Sequence, residues 1–559
     1  MLDKFRMVEV PKGAKISKQK NGEWVQLVVD REYIKSKKYY KEKKVLIGLI
    51  TRNENGERMM FPNEKYFNYF SDENIVEIEK DLEFSDTLSF GTYAVFDLIF
   101  KKIGVDDILK NIFGTNSTII KALVCYYSSN CSNTIQGFKT WLFKNYAGLE
   151  KVKSESTISD ILNKHLTAEK IAKFSELWLK NYQRNLNNNV NSSYVNIDSI
   201  NVNTSSKNVK KAEYGYATEN KNEPIINIGL VTDQINNFPL FYEIYAGSVT
   251  DMTQCDILIE KIKTIGIKDH CLVMDRGYFS AKNIHNIDKK GYSFIIVAKL
   301  WNKNLQRVLD ENKDKFKHKI SNLTNDKKSF GMIVKDKVFD DVNKKFNIVL
   351  LYEPIKESER VSFYTEYFTR LVEQVKNMKK LTKEVELNFS EYLDLELDEK
   401  RRILSVTPKE ESFEKHIKNA GYCAIVTNTE KTIDEVQNAY HNRDSIEKMF
   451  RWIKTQTNLN KNYSYTDGIL ESKTFLTFIS DIVRAYIMFY CKDLIARKRH
   501  ETYNTIINEL TKIEVTKISD TYLRRNAFTA KQKEILNGLE LDTNQLLQYV
   551  NLLNLRLKK

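Results

Sequence analysis

Apolar and polar positions change rhythm several times along the chain, and each change marks a candidate unit. Residues 21–62 hold two runs rich in β-branched and aromatic residues around a basic connector, with a turn at "NENGE". That pattern predicts a small, basic, β-rich module over 1–85, expected to bind DNA. From Phe90 to Asn187 apolar residues recur at intervals of three and four, as in "YAVFDLIFKKIGVDDILKNIF" and "STISDILNKHLTAEKIAKFSELWLKNY". This predicts a helical domain over 86–190. Its stretch "SESTISDILNKH" fits part of a helix-turn-helix, and equally an amphipathic helix that packs on its neighbours. The polar run "NLNNNVNSS" (185–193) predicts a linker.

After that run the alternation becomes strand-like. "SYVNIDSINVN", "PIINIGLVTD" and "PLFYEIYAGS" predict three strands, and "DMTQCDILIEKIKTIGI" has a helical period. Then come the apolar run "HCLVMD", the short helix "AKNIHNIDKKG" and the buried-type strand "YSFIIVAKL". Three strands, a helix, a strand, a helix and a strand define an α/β unit over 191–300 whose central strands are covered on both faces. Residues 301–420 break this rhythm with a charged segment, the strand "KFNIVLLYEPI", the long helix "ESERVSFYTEYFTRLVEQVKNMKKL" and further strands, and read as a β-rich, mixed α+β insertion. A buried strand returns at "GYCAIVTNT", so 421–490 completes the α/β unit and 491–559 reads as a helical tail.

Composition narrows the partner. The length of 559 residues exceeds one ordinary domain, and 42% hydrophobic with 11% aromatic residues describes a globular chain. Lys and Arg number 88 against 74 Asp and Glu, a net charge of +14. The pI near 9.0 favours a polyanion, nucleic acid before an anionic membrane surface. Six cysteines without a C-x-x-C pair suggest neither a zinc knuckle nor a disulfide framework and fit a reducing cytoplasm. The start "MLDKFRMVEVPKG" lacks a signal core, and the longest apolar stretch, "TFLTFISDIVRAYIMFYC", is interrupted by Asp481 and Arg484. A soluble, unexported protein without a membrane partner is expected.

Two acids stand out in the α/β unit. Asp198 lies in its first strand, and Asp275 ends the run "CLVM" where "RGY" leaves the sheet. Acids at strand ends sit at the mouth of an α/β sheet, the usual place for chemistry. Asp275 has an ordinary alternative, which is to cap the next turn. A third acid comes from "YHNRDSIEKMFRWIK" (440–454). Wound as one helix at about 100° per residue, it projects Tyr440, Arg443, Glu447 and Lys454 within an arc of about 60°. Ile446, Met449, Phe450 and Ile453 then form a separate packing face. The ordinary reading is a solvated stripe with Arg443 paired to Glu447. A carboxylate flanked by two cations instead suits a face that meets both a divalent metal and a phosphodiester. Carboxylate oxygens bind Mg²⁺ or Mn²⁺, two such ions serve the attacking and leaving oxygens, and Arg and Lys hold phosphates. On that reading Glu447 must reach Asp198 and Asp275 through the fold.

The spacing Y-x2-R-x3-E-x6-K, met by Tyr440, Arg443, Glu447 and Lys454, resembles the signature of DDE transposases of bacterial insertion sequences, in the cut-and-paste group that includes hairpin-forming enzymes. "NIDSINV" resembles the first-Asp strand of that family, "VMDRGYFS" its second-Asp motif, and "GYCAIVTNT" the entry to its third region; the likeness covers about residues 190–490. The resemblance implies an RNase H-like core interrupted by an insertion, and two Mg²⁺ ions, with Mn²⁺ as substitute, held by Asp198, Asp275 and Glu447. It also implies contacts of Tyr440, Arg443 and Lys454 with transposon-end DNA. In such proteins a basic residue ends the strand before the insertion, which is the place of Lys299. Some members hold a flipped base with a Trp of the insertion. Trp301 is the candidate here, with a buried core Trp as the ordinary alternative.

Where relatives carry an Arg-Pro stretch and a Gly-His pair, this chain reads "KNYSYTDGILESKTFLTF", so its details of end binding differ. The first 190 residues match no catalytic motif and are assigned to end recognition and dimer contacts by charge and position. The implied activity is metal-dependent cleavage at the inverted repeats of an element, followed by strand transfer into target DNA by a homodimer in the bacterial nucleoid. Two alternatives stand beside it: a transposase-derived DNA-binding protein without transposition activity, and an RNase H-fold nuclease that cuts without joining.

Overall fold

The computed structural model describes residues 7–19, 22–35, 38–53, 56–70, 87–130, 134–149, 153–185, 194–217, 220–264, 270–456, 461–497, 502–518, 521–524 and 526–557. The expected linker lies, but for residue 185, outside the described residues. The chain divides into two compact units, one of residues 1–87, 516–523 and 554–559, the other of 88–515 and 524–553.

In the smaller unit, strands Val8–Glu9, Lys15–Gln19, Gly22–Ile34, Tyr39–Arg52 and Arg58–Pro62 form one antiparallel sheet. Its apolar side closes over Val25, Ile47, Met60 and Tyr66. The two long strands run past this small core, and Tyr33 and Tyr40 pair there as half-exposed rings 4.9 Å apart.

The larger unit is built around a mixed sheet, whose strands and helices we number from its first strand. β1 (Tyr194–Thr204), β2 (Ile225–Asp233) and β3 (Pro239–Ala246) form an antiparallel meander. α1 (Asp251–Thr264) then carries the chain to β4 (Cys271–Met274), parallel to β1, and α2 (Ala281–Lys289) to β5 (Ser293–Val297), parallel to β4. Parallel neighbours need such crossovers. Every residue of β2 and of β4 is buried, as expected for strands covered on both faces.

Beyond β5 the chain departs from the expected organisation. After α3 (Lys303–Phe316), β6 (Phe330–Lys337) and β7 (Lys345–Tyr352) extend the main sheet, because the buried run of β7 pairs with the returning strand β10 (Tyr422–Thr427), itself antiparallel to β5. Only the intervening stretch stands apart from the sheet: α4 (Pro354–Lys376), α5 (Lys383–Phe389), the hairpin of β8 (Leu393–Leu397) and β9 (Ile403–Pro408), and α6 (Glu410–Ile417). It packs its own core of Val375, Leu381, Phe389, Leu393 and Val406. The strand order across the sheet is β6-β7-β10-β5-β4-β1-β2-β3.

The remaining elements cover this sheet. α7 (Ile433–His441) and α8 (Asp444–Gln456) lead to the short strand β11 (Lys461–Asn462), parallel to β1, and to α9 (Asp467–Tyr490), most of whose residues are buried. N-terminal helices Gly91–Lys102, Val105–Phe113, Asn116–Asn130 and Ala168–Asn185 belong to the same compact unit. Trp178 Nε1–H donates to the Pro239 carbonyl at 2.9 Å and Tyr182 O–H to Asp233 at 2.8 Å, which ties the last of these helices to the sheet. The stretch that fits a helix-turn-helix buries Ile158, Ile161 and Leu162, and the α9 residue Ser472 donates to the Leu162 carbonyl at 2.5 Å. The tail expected to be helical also contains strands Glu514–Ile518 and Thr521–Arg524. No helix among the described residues is long and apolar enough to cross a membrane.

Candidate active site

The register of β1 and β4 sets the first two acids side by side. Ile197 lies opposite Met274, so the following residues, Asp198 and Asp275, emerge together where β4 ends. The same edge of β1 is taken up again by β11 only from Asn203 onward, which leaves an open interval at Asp198. Asp275 precedes the single turn Arg276–Tyr278, but its side chain makes no capping hydrogen bond there. The carboxylate therefore points elsewhere.

The third acid arrives differently from expectation. Residues 440–454 are not one helix: α7 stops at His441 and α8 starts at Asp444, with Asn442 and Arg443 at the joint. Three N–H groups reach back three residues instead of four, Arg443 to Tyr440 at 3.1 Å, Ser445 to Asn442 at 3.2 Å and Ile446 to Arg443 at 3.0 Å. This tighter winding advances the chain further per residue at the joint, and Arg443 still meets both the Tyr440 ring and Glu447, so these three of the four polar side chains stay together. Arg443 is 6% exposed. The packing face does form, with Ile446, Met449, Phe450 and Ile453 all buried.

Arg443 gathers the acids. Nη1 meets Asp198 Oδ2 at 2.5 Å, Nη2 meets Glu447 Oε1 at 2.5 Å, and Nη2 lies 3.9 Å from Asp275 Oδ1. Its guanidinium sits over the Tyr440 ring at 5.4 Å. Side-chain exposure rises from 15% for Asp198 through 34% for Asp275 to 48% for Glu447, so the cluster opens toward solvent on the α8 side. Burial pushes the Asp198 carboxyl up to about 7; Arg443 and the Ser199 N–H pull it down, and Asp275 and Asp251 push it up again. Burial likewise raises the Tyr440 phenol to about 12.

Lys454 is half-buried in the last turn of α8, about 10 Å along the axis from Glu447 at 1.5 Å per residue. Lys299 follows β5 on the side where Asp275 follows β4, and its ammonium stands 5.6 Å from the centroid of the Trp301 ring. Trp301 is 78% exposed, so the core reading of that residue fails. Asp251 completes the surroundings and was not singled out from the sequence. It accepts from Ser199 Oγ at 2.5 Å and from Tyr245 O–H at 2.6 Å, and a side chain at Gly277 would crowd it at 3.2 Å. An acid in the first turn of a helix is ordinary, and nothing in "VTDMTQ" marks it as a neighbour of Asp198.

Among the described residues no three His, Cys, Asp or Glu side chains stand together as a ready metal site. The donor set nevertheless fits a hard divalent cation. Three carboxylates from 198, 275 and 447 converge on one cationic group, the Arg443 guanidinium, which occupies the space between them.

No curated protein matches the chain. Among solved structures, that of a piggyBac transposase synaptic complex with hairpin DNA is similar, with a TM-score of 0.38 and 9% identity over 74% of this chain and 79% of that one. The family model described as Transposase DDE domain matches residues 193–480, which span the whole sheet and all three acids. The chain belongs to the DDE transposase domain family.

Proposed function

We propose that this protein is a cut-and-paste DNA transposase that binds the terminal inverted repeats of its own element, cleaves there and joins the freed ends to target DNA. The observation that carries this reading is the convergence of three acids, distant in sequence, on one guanidinium at the open edge of β1. The strand order β3-β2-β1-β4-β5, an antiparallel meander continued by two parallel strands, supports an RNase H-like core. The lobe from α4 to α6, inserted between the second acid and the third, supports the insertion implied by the resemblance.

In this reading Asp198, Asp275 and Glu447 hold two Mg²⁺ ions, for which Mn²⁺ substitutes. When bound, the ions supply Lewis acidity to the attacking and leaving oxygens of an in-line displacement. Asp198 and Asp275, set by the register of two strands, and Glu447, on the more exposed α8, fix the two sides of the scissile phosphate. A water oxygen attacks phosphorus, the 3′-oxygen leaves with a proton, and the resulting 3′-hydroxyl then attacks a target phosphodiester and displaces its 3′-oxygen. Where hairpin ends are formed, the same hydroxyl first attacks the opposite strand. Arg443, Lys454 and Lys299 bind backbone phosphates, Tyr440, whose ring packs against Arg443, contacts the end DNA beside it, and Trp301 offers an exposed ring to a displaced base. The N-terminal modules recognise the ends, and a homodimer on DNA pairs them.

The test is cleavage of a plasmid that carries the DNA flanking the gene, with Mg²⁺ or Mn²⁺, comparing the wild type with Glu447→Ala. Metal-dependent cuts at the repeat boundaries, lost in the variant while DNA binding persists, support the proposal. Binding by both proteins without cleavage by either leaves a transposase-derived DNA-binding protein. Cuts without joined products leave a nuclease.

A further inference from the structure

Four tyrosines beyond the catalytic cluster present their rings to solvent. Tyr214 and Tyr216 are 67% and 87% exposed, and Tyr463 and Tyr465 are 61% and 70% exposed. Large aromatic rings exposed singly need no explanation, but these come as two Tyr-x-Tyr pairs, in "EYGYA" and "NYSYT". Among the described residues none of the four makes a ring contact or a side-chain hydrogen bond.

Both pairs sit on backbone that is firmly held. Around the first pair, Glu213 exchanges hydrogen bonds with Ile225 at 3.1 and 2.8 Å, and the Asn201 side chain donates to the Tyr216 carbonyl at 3.3 Å. Gly215, between the two rings, approaches the Gly247 carbonyl so closely that a Cβ would lie 1.8 Å from its oxygen. The second pair directly follows β11, with Ser464 buried between its two rings. The segments are linked where the Lys210 N–H donates to Asp467 Oδ1 at 2.9 Å. Both lie along β1, since Asn201 is three residues beyond Asp198, about 10 Å at strand rise, and β11 pairs with Asn203 and Thr204.

Exposure and charge identify the ligand. Neither pair lies on a strand: the Ala217 N–H closes back on the Gly215 carbonyl at 2.9 Å around Tyr216, and Tyr463 and Tyr465 lie between β11 and α9. Each ring is a solvent-facing apolar plate of the kind on which a base stacks. Exposed Lys207, Lys210 and Lys221 on the same segment supply positive charge for its phosphates. A duplex keeps its base faces covered, whereas an unpaired strand offers them to aromatic platforms. We propose that the two Tyr-x-Tyr pairs form a stacking platform for unpaired nucleotides of a DNA strand that leaves the catalytic cluster along β1. The place of this platform in the reaction rests on the transposase reading; the binding itself does not.

The experiment measures fluorescence anisotropy of a 5′-labelled 20-nucleotide single strand, and of the duplex of the same sequence, in EDTA. The proteins are the wild-type full chain, Y214A/Y216A, Y463A/Y465A and the corresponding phenylalanine pairs. Each alanine pair is expected to weaken single-strand binding by about 5- to 150-fold for each base that loses its stack. Duplex binding should change less than about twofold, and the phenylalanine pairs should match the wild type. The proposal is overturned by alanine pairs that bind single strands normally, by equal losses on duplex, or by equal losses in the phenylalanine pairs. It is also overturned if the rings serve a second copy of the chain, seen as wild-type self-association without DNA that the alanine pairs abolish. Plasmid cleavage by the wild type separates the two readings. Cleavage with tyrosine-independent single-strand binding removes the platform alone, and tyrosine-dependent binding without cleavage removes the transposase reading alone.

Discussion

Replacing Arg443 with methionine keeps an unbranched aliphatic stem, shorter than that of arginine, and removes the one charge shared by the three acids. A pair of unit charges about 4 Å apart is worth about 4 kcal/mol at an effective dielectric of 20. Deleting one member of a buried pair costs about 3–5 kcal/mol, because the other charge is left uncompensated. Asp198 and Arg443, 15% and 8% exposed, belong in that class, whereas Glu447 at 48% adds less than about 1 kcal/mol. The expected loss at pH 8 is therefore about 3–5 kcal/mol. Acid relieves it. Burial already holds the Asp198 carboxyl up to about 7, and without the guanidinium it rises further, so the folded variant binds more protons than the unfolded chain above the ordinary carboxyl range. Its stability falls as pH rises, and its deficit against the wild type shrinks at pH 5. Urea unfolding followed by tryptophan fluorescence at the two pH values reads both quantities, with an unchanged m-value expected. A deficit below about 1 kcal/mol at pH 8, or one that grows toward pH 5, would refute the assignment of Arg443 as the counterion of the acids.

Further expectations concern other charges. Lys454→Ala and Lys299→Ala should each lower the slope of log K against log salt for end DNA by about 0.9, as the loss of one phosphate contact does, measured by titration at several salt concentrations. Asp481 is 1% exposed, with Oδ1 unpartnered among the described residues, and burial holds its carboxyl well above the ordinary range against the pull of Arg484. A raised folded pKa contributes stability that is lost as pH rises, by up to about 1.4 kcal/mol per unit, so Asp481→Asn should flatten the pH dependence of urea unfolding above pH 5. Lys121 is buried between Asp97 at 2.5 Å and Asp106 at 2.7 Å. Lys121→Met should cost about 3 kcal/mol in the same assay, the low end for a broken buried pair because Lys101 and Lys110 still hold the two acids, and Asp97→Asn with Asp106→Asn should recover most of it.

Much of the central unit was readable because strands announce themselves by alternation and by buried runs. The three strands of the meander, β4 and β5 follow the apolar pattern from "SYVNIDSINVN" to "YSFIIVAKL"; Asp275 stands where the run "CLVM" ends, whereas Asp198 lies midway along its strand. The joint at Asn442 and Arg443 was not readable. Three residue-to-residue bonds that close one position early leave no mark on a pattern whose apolar residues keep helical spacing on both sides. The placement of β6 and β7 escaped for a different reason. Pairing with β10 spans about seventy residues, and local periodicity says that a strand is buried but not beside which neighbour. Asp251 is a case of the same kind, joined to Ser199 only through the fold.

The position of Arg443 also bears on the order of events at the site. Three carboxylates gathered without a cation repel one another, and the guanidinium is the group that makes their convergence tolerable in the folded protein. If the same side chain binds a backbone phosphate of the end, it cannot stay between the acids, so phosphate binding frees the carboxylates and metal binding frees the arginine. Each event then favours the other. Linkage makes this reciprocal: the factor by which end DNA raises the affinity for Mn²⁺ equals the factor by which Mn²⁺ raises the affinity for DNA, and couplings of this kind are commonly about 5- to 150-fold. Titration calorimetry with Mn²⁺ on the full chain, with and without end DNA, should show that factor in the wild type. In Arg443→Gln the DNA-free protein should bind the ion more tightly and the coupling should collapse toward unity; an undiminished coupling in the variant would place its origin in other residues.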